Sequence, residues 1–385
     1  MKRGLKKIYI SCFLCLLLSH NVAVPVPVYA FDSGTVLSIM SLGIQYGMIY
    51  FNLKYLDNSG RDAMLAGMKR EYGVSKNKKA EVQLEGIMQR LVSVISAEDP
   101  SLAEKPYQYF VNSQTSFNAF CTLGHNISIN AGTFDILDYE ESEIAFVIAH
   151  ELAHGQNGDP LLNQLKRSSV FTLASLIAGG DSSSVELIAL HAAGDAAQAK
   201  FITMPAEKAA DRRAFDFCSK AGFNPGAGAA LWQRVMDKAD KKSTAFLSAV
   251  FGDHPSNLSR RDLYALDMNS WSKGTVAVDG VSGAVNVAGK YVFTPMPHND
   301  RSRLELAYLA AGRIAGIYHY IDSLVHVPVA EYRNGTVFIG KTAVYETAPG
   351  EDGDKIAEAL NAAAGKNIKT QPVVAYYAEP VIPKY

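Results

Sequence analysis

The sequence of 385 residues lacks a hydrophobic run long enough to span a membrane comfortably. A spanning helix needs about 20 predominantly apolar residues. The runs from Ile8 to Leu18 and from Val170 to Ala178 are much shorter, and the stretch from Val36 to Tyr55 is interspersed with Ser, Gly and Gln. We therefore expect residues 36–55 to form a helix that packs on the core or, alternatively, rests on a membrane surface.

An excess of one charge sign is also missing, and cysteine is scarce. The chain has 37 Lys and Arg against 38 Asp and Glu, so its charge does not point to a nucleic-acid partner. Two of the four cysteines, Cys12 and Cys15, lie in the N-terminal apolar run. The other two, Cys121 and Cys218, allow at most one disulfide in an oxidising compartment, or two buried free thiols.

The N-terminus is typical of an export signal. A positively charged segment precedes the short apolar run, and a small-residue site, Val28-Tyr29-Ala30, follows it. This pattern predicts a signal peptide over residues 1–30, with an uncleaved anchor as the alternative. The protein is therefore expected outside the cytoplasm, either in the periplasm or secreted.

The most informative stretch runs from Glu143 to Gly155 and reads EIAFVIAHELAHG. Its apolar residues recur at helical intervals, which predicts a largely buried amphipathic helix. His150 and His154 are four residues apart, so they face one side of such a helix, where two imidazoles suit zinc. Glu151 lies one step round the helix, as a general base for a metal-bound water requires. Two packed histidines are the alternative, but burying them without a partner would be costly.

A third ligand is expected downstream, because a catalytic zinc has three protein ligands and one open position. Glu207 and Asp211 are four residues apart, in a predicted helix whose first turn Pro205 suits. Glu207 can complete the ligand set, and Asp211 can orient a ligand histidine through its other ring nitrogen. Taken alone, this stretch is more typical of a solvated helical face. Together with the first helix it predicts one Zn²⁺ per chain.

Further motifs make the chain resemble peptidase family M48, the HtpX, BepA and Oma-like zinc metallopeptidases of the gluzincin group. The resemblance covers about residues 60–265 in the family's order. Besides H-E-x-x-H and the Glu207/Asp211 pair, it is carried by Phe117-Asn118-Ala119-Phe120, Gly124, residues 127–132, residues 221–225, and Asp253-His254-Pro255 with Arg260.

The resemblance implies an α+β fold, with a mainly helical gluzincin-type core and a small β-sheet whose edge lies over the cleft. An exposed strand edge can bind an extended peptide through main-chain hydrogen bonds. His125 is expected to line the cleft or the surface and not to bind metal. We expect the substrate along the five residues Gly124, His125, Asn126, Ile127 and Ser128.

The resemblance also implies roles for residues around the metal. His254 is expected to stabilise the oxyanion or, in a latent state, to occupy the open zinc position. Arg260 is expected to support the same charge, and Asp211 to orient His150. Where the family usually has a further basic and histidine pair after the second zinc histidine, this chain has residues 156–159, Gln-Asn-Gly-Asp. That departure removes no ligand.

The resemblance fades beyond about residue 272. Alternating patterns predict short strands within residues 275–292 and 327–345, with helices over residues 304–320 and 356–364. The chain shows no 34-residue helical repeat of the tetratricopeptide kind, so the partner contacts that some relatives make through one cannot be transferred. We predict a signal peptide (1–30), a zinc metallopeptidase domain (31–272) and a small C-terminal α+β region of unknown role (273–385).

These patterns favour an exported zinc metalloendopeptidase that acts on unfolded or extended polypeptides. By analogy with the family alone, its use would be in envelope protein quality control. Nucleic acid is not an expected partner, peripheral membrane contact stays open, and the sequence does not indicate the oligomeric state. The alternative is a zinc-stabilised chaperone or assembly factor that binds chains without cutting them. Glu151 argues against it, because a structural zinc site needs no base and usually has four protein ligands.

Overall fold

A computed structural model describes residues 33–166, 204–240 and 257–366. Contacts divide the chain into two compact units, Met1–Lys54 with Leu162–Lys200 and Tyr55–Leu161 with Phe201–Tyr385. The signal peptide predicted over residues 1–30 lies outside the described residues. The second unit contains all described residues of the candidate site.

Helices dominate the described residues, and three small sheets accompany them, which confirms the predicted mainly helical α+β fold class. The helices are α1 (Ser33–Asp57), α2 (Arg61–Tyr72), α3 (Lys78–Glu98), α4 (Ala131–Ile136), α5 (Glu141–Asn157), α6 (Met204–Lys220), α7 (Ala227–Asp240), α8 (Asn257–Trp271), α9 (Arg303–His319) and α10 (Gly353–Ala363). The strands of the first sheet are β1 (Gln108–Asn112), β2 (Ala119–Thr122) and β3 (Asn126–Asn130).

Helix α1 is the helix predicted over residues 36–55. Three large apolar side chains of this helix are exposed, those of Ile44, Met48 and Phe51. No helix among the described residues is both long and apolar enough to cross a membrane. Contact of α1 with a membrane surface stays a prediction.

The strand order of the first sheet corrects one prediction. The order is β1-β3-β2, with β3 parallel to β1 and antiparallel to β2. The segment expected to bind substrate therefore does not form an edge. Asn126, Ile127 and Ser128 belong to the central strand and are buried, and Gly124 and His125 lie in the 3₁₀ turn before it. Strand β2 is the edge that packs against α5.

The C-terminal region repeats one structural unit. Three antiparallel strands precede α9, and three more precede α10: β4 (Val276–Val278), β5 (Val285–Val287), β6 (Lys290–Phe293), then β7 (Ala330–Arg333), β8 (Thr336–Ile339) and β9 (Thr342–Glu346). Helix α9 packs on β4 and β9, whereas α10 packs on β7 and β6. Each helix thus contacts the first strand of its own sheet and the last strand of the other. Sequence patterns predicted strands and helices here but not this repetition.

The C-terminal region is also joined to the peptidase region by one hydrophobic core. Helix α9 packs along α7, and its buried residues Leu309 and Ile314 belong to the same core as those of α5. The boundary predicted at residue 272 therefore does not coincide with a boundary between compact units. Backbones meet where α9 passes the start of α7. There, a Cβ on Gly312 would overlap the side-chain oxygen of Asn224 and the backbone nitrogen of Gly226.

This close approach leads to a stability prediction. We expect Gly312→Ala to lower the free energy of unfolding by about 1–3 kcal/mol, because the added methyl group overpacks a backbone contact. Gly316→Ala in the same helix is the matched control, since a Cβ there would meet nothing within 4 Å. That change should stabilise the protein by about 0.5–1 kcal/mol through helix propensity. Urea unfolding measures both; equal effects at the two positions would contradict the prediction.

Candidate metal centre and active site

Helix α5 positions the two histidines of the H-E-x-x-H motif. Ile144, Ile148 and Leu152 are fully buried in the core and fix the orientation of the helix. His150 and His154 then lie on one face, with their Nε2 atoms 3.1 Å apart. The structure therefore contains the predicted helix, and His150 and His154 share one face of it as their spacing predicted.

The Glu207 carboxylate completes a compact donor set from α6. Its Oε2 atom lies 3.3 Å from His150 Nε2, and its Oε1 atom lies 3.4 Å from His154 Nε2. Tetrahedral ligands at zinc bond lengths of about 2.0–2.1 Å lie about 3.3 Å from one another. The three donors therefore fit a zinc ion. Among the described residues, these three side chains hold their ligand atoms close enough together to bind one metal ion.

The electrostatics of this cluster favour a cation. Burial lowers the pKa of His154, but hydrogen bonds to Asp159 and Glu207 outweigh it and raise the pKa to about 10. The pKa of the buried His150 is raised as well, because Asp211 and Glu207 outweigh burial and the nearby Arg260. Carboxylates on three sides thus favour positive charge where the imidazoles meet.

Asp211 lies behind His150, on the side away from Glu207. Its Oδ1 atom is 2.9 Å from His150 Nδ1, as a carboxylate that orients a ligand histidine requires. Asp211 is 1% exposed, and burial alone would raise its pKa, yet Arg260 and His150 hold the pKa of this carboxyl well below its usual range. Tyr264 Oη also donates to Asp211 Oδ1, at 2.8 Å.

Arg260 lies behind His150 and is bound to Asp211. Its Nε donates to Asp211 Oδ2 at 2.9 Å, its Nη2 donates to Asp211 Oδ1, and its guanidinium stacks 4.0 Å from the ring centroid of Trp232. The side chain is 4% exposed and is engaged by Asp211. Arg260 therefore supports Asp211, and its Nη2 also lies 3.0 Å from His150 Nδ1. Its support of the oxyanion stays a prediction. Its spacing after residues 253–255 could not reveal this partner.

Glu151 is held by the edge strand. Its Oε2 atom accepts a hydrogen bond of 2.8 Å from the backbone N–H of Cys121 in β2. The carboxylate is buried beside His150 and is no member of the metal-binding set. Cys121 and Cys218 are free thiols, so the disulfide considered from the sequence is not formed.

A comparison with known proteins bears on this arrangement. A sequence model of peptidase family M48 matches residues 78–264, which run from the start of α3 into α8. The matched stretch contains the ligand set, Glu151 and the groups behind His150. Residues 78–264 therefore belong to peptidase family M48.

Individual relatives are more distant. The beta-barrel assembly-enhancing protease of Escherichia coli strain K12 is 27% identical over 142 residues, which are 35% of this chain and 29% of that protein. A Vibrio cholerae protein that carries the same name provisionally is 27% identical over 186 residues, which are 46% of this chain and 37% of that protein. The matches thus span about a third of the length of these relatives.

A pocket of the M48 domain opens beside His150 and Glu151. Most of its lining is apolar or aromatic: Phe117, Ala119, Phe146, Val147, Leu231 and Trp232. Asn118, Arg260 and Tyr264 complete it. The pocket therefore offers an apolar surface directly next to the candidate catalytic groups.

The remaining histidines are placed away from the metal centre or are not described. His125 stacks on Tyr107, with ring centroids 4.6 Å apart, and its Nδ1 lies 2.9 Å from the Lys105 carbonyl oxygen. It is therefore a packed histidine next to β3. His254 lies outside the described residues, and its role stays a prediction.

Sequence reasoning missed three residues that support the metal centre. Tyr264 and Trp232 hold Asp211 and Arg260, and they are distant in sequence from both histidines. Asp159 lies 2.8 Å from His154 Nδ1. A signal for Asp159 existed, because it follows the second histidine closely and comes directly after a glycine.

Proposed function

We propose that this M48 protein is an exported zinc metalloendopeptidase that hydrolyses peptide bonds in unfolded or extended polypeptides. The observation that carries the proposal is the convergence of His150, His154 and Glu207 from two helices, with Glu151 buried beside them. A structural zinc site would need neither a glutamate in that position nor an adjoining pocket.

Each group of the site has a separate role in the proposed hydrolysis. Zinc held by His150, His154 and Glu207 would supply Lewis-acid chemistry. This would polarise an amide carbonyl and lower the pKa of water, so that water loses a proton more easily and becomes a better nucleophile. Glu151 accepts the proton from the attacking water and delivers it to the amine nitrogen of the leaving group. Asp211 accepts the Nδ1–H of His150, which leaves the Nε2 lone pair directed at the ligand set.

Strand β2 is the proposed binding site for the polypeptide backbone. In an antiparallel pair, alternate residues direct their backbone groups away from the partner strand. The Cys121 N–H bonds Glu151 and so lies on the edge away from β3. Ala119, two residues earlier, presents its N–H and C=O on the same edge and also lines the apolar pocket. An extended chain bound there would pass Glu151 and place an apolar side chain in the pocket.

Envelope protein quality control is the proposed setting. It is supported by the names of the relatives, which describe proteases that enhance beta-barrel assembly, and by the N-terminal pattern that predicts export. Because the chain matches only about a third of those proteins, their assembly role is an analogy for this one.

Metal removal tests the proposed activity. The purified full chain should cleave an unfolded protein such as casein, lose this cleavage on treatment with a chelator, and regain it with one equivalent of Zn²⁺ per chain. The reason is that the three ligands alone cannot activate water. Cleavage that persists in metal-free protein would contradict the proposal. A Glu207→Gln variant, which should need more added zinc for the same rate, shows whether the metal acts through this ligand set.

A further inference from the structure

We propose that Asp159 is a positioning residue that holds His154 for metal binding. With the Asp211–His150 pair, it gives each ligand histidine its own carboxylate partner. The inference rests on the proposed metal site.

The contact has the geometry of a directed hydrogen bond. His154 Nδ1 lies 2.8 Å from Asp159 Oδ2. The side chains are 12% and 13% exposed, so water competes only weakly for either group. When Nδ1–H donates to the carboxylate, the Nε2 lone pair faces His150 and Glu207, which fixes the tautomer that binds a metal.

The backbone places Asp159 beneath the ring of His154. Helix α5 ends at Asn157, and Gly158 takes the left-handed conformation, with φ 70° and ψ 18°. This turn redirects the chain, so that residue 159 begins the next helical segment and its carboxylate points back at the last turn of α5. A residue with a Cβ would be strained at position 158.

Neighbouring side chains hold the carboxylate and connect it to the other metal helix. Asn157 Nδ2 donates to Asp159 Oδ2 at 3.3 Å. Arg213 on α6 donates from Nη1 to Asn157 Oδ1 at 2.7 Å. Helix α6 also carries Glu207, so the contacts of Asp159 link the two helices that supply the ligands.

Asp159 is expected to contribute less than Asp211. The side chain of Asp211 is 1% exposed and is held by Arg260 and Tyr264, whereas that of Asp159 is 13% exposed and is held by one amide side chain. Partners of ligand histidines typically contribute about 10- to 100-fold to metal affinity. For Asp159 we expect the lower half of that range.

The test measures zinc binding by the full chain in competition with a chromophoric chelator. Asp159→Ala should weaken zinc binding about 10- to 30-fold, and Asp159→Asn less, because the amide keeps an acceptor but loses the charge. Asp216→Asn is the control, since this exposed aspartate of α6 contacts Lys220 and should not affect zinc binding. Cobalt-substituted Asp159→Ala should also show a changed visible absorption spectrum, which a purely structural role would leave unchanged.

The outcomes separate this inference from the proposed function. Zinc binding by Asp159→Ala and Asp159→Asn equal to wild type, with unchanged cobalt spectra, would overturn the role of Asp159 and leave the proposed peptidase intact. A wild-type chain that binds no zinc would overturn both. If Asp159→Ala does not fold, the zinc affinity of Asp159→Asn tests the inference. Thermal unfolding of the metal-free protein shows whether this variant has the wild-type fold.

Discussion

Replacing Glu151 with Gln is expected to slow peptide-bond cleavage by about 10²- to 10⁴-fold, the contribution of a positioned general acid–base group. Gln has the same shape, and its side-chain oxygen can still accept the hydrogen bond from the Cys121 N–H. The fold and the three ligands should therefore remain. The measurements are kcat/KM on unfolded casein and zinc content per chain.

Glu141→Gln is the matched control for this variant. Glu141 lies on the same helix and is exposed, with a single ion pair of 3.5 Å to Arg90, so its loss should leave cleavage unchanged. Wild-type rates in Glu151→Gln would refute the assignment of the base. Bound zinc without cleavage in any form would instead favour the assembly factor that binds chains without cutting them.

Replacing Arg260 with Ala is expected to lower the free energy of unfolding of the metal-free protein by about 3–5 kcal/mol. Arg260 and Asp211 are 4% and 1% exposed, so the change leaves a buried carboxylate without its charge partner. Without Arg260, Asp211 should also hold His150 less firmly, and zinc affinity should fall. Urea unfolding and chelator competition measure the two effects.

Three further variants identify the cause of this loss. Arg212→Ala removes an exposed arginine next to Asp211 in sequence and should change stability by less than about 0.5 kcal/mol. Arg260→Met combined with Asp211→Asn removes both charges and should be less destabilising than Arg260→Met alone. Equal losses in the single and double variants would mean that packing on Trp232, and not the ion pair, accounts for the effect.

The metal centre was predictable because its information is local. Two residues four apart on a helix share a face whatever the helix packs against, so the spacing of His150 and His154 and of Glu207 and Asp211 determined both halves of the cluster. The apolar residues between them determined which side would be buried. The convergence of the halves still required the resemblance to M48, because 52 residues separate His154 from Glu207 in the sequence.

The edge strand was not predictable in this way. The stretch from Asn126 to Asn130 has the composition of a strand, and the sequence analysis expected part of it at the sheet edge. Its position in the centre depends on β1, which adds to it in parallel from a segment that ends 14 residues earlier, at Asn112. Strand order is a property of long-range pairing, and no alternation within one strand reports it.

The sequence by itself determined the helix of the H-E-x-x-H motif, the types of the candidate ligands and the place of Glu151, because helix periodicity and ligand spacing depend on neighbours within a few residues. The mainly helical α+β class followed from the resemblance to M48. Only the tertiary structure decided that β2 is the edge beside Glu151, that Arg260 and Tyr264 support Asp211, that Asp159 faces His154, and that the C-terminal region is one unit repeated. The contact of Asp159 depends on the local turn at Gly158. Each of the others depends on chain segments brought together by burial of a shared core, and such contacts leave no periodic trace in either segment.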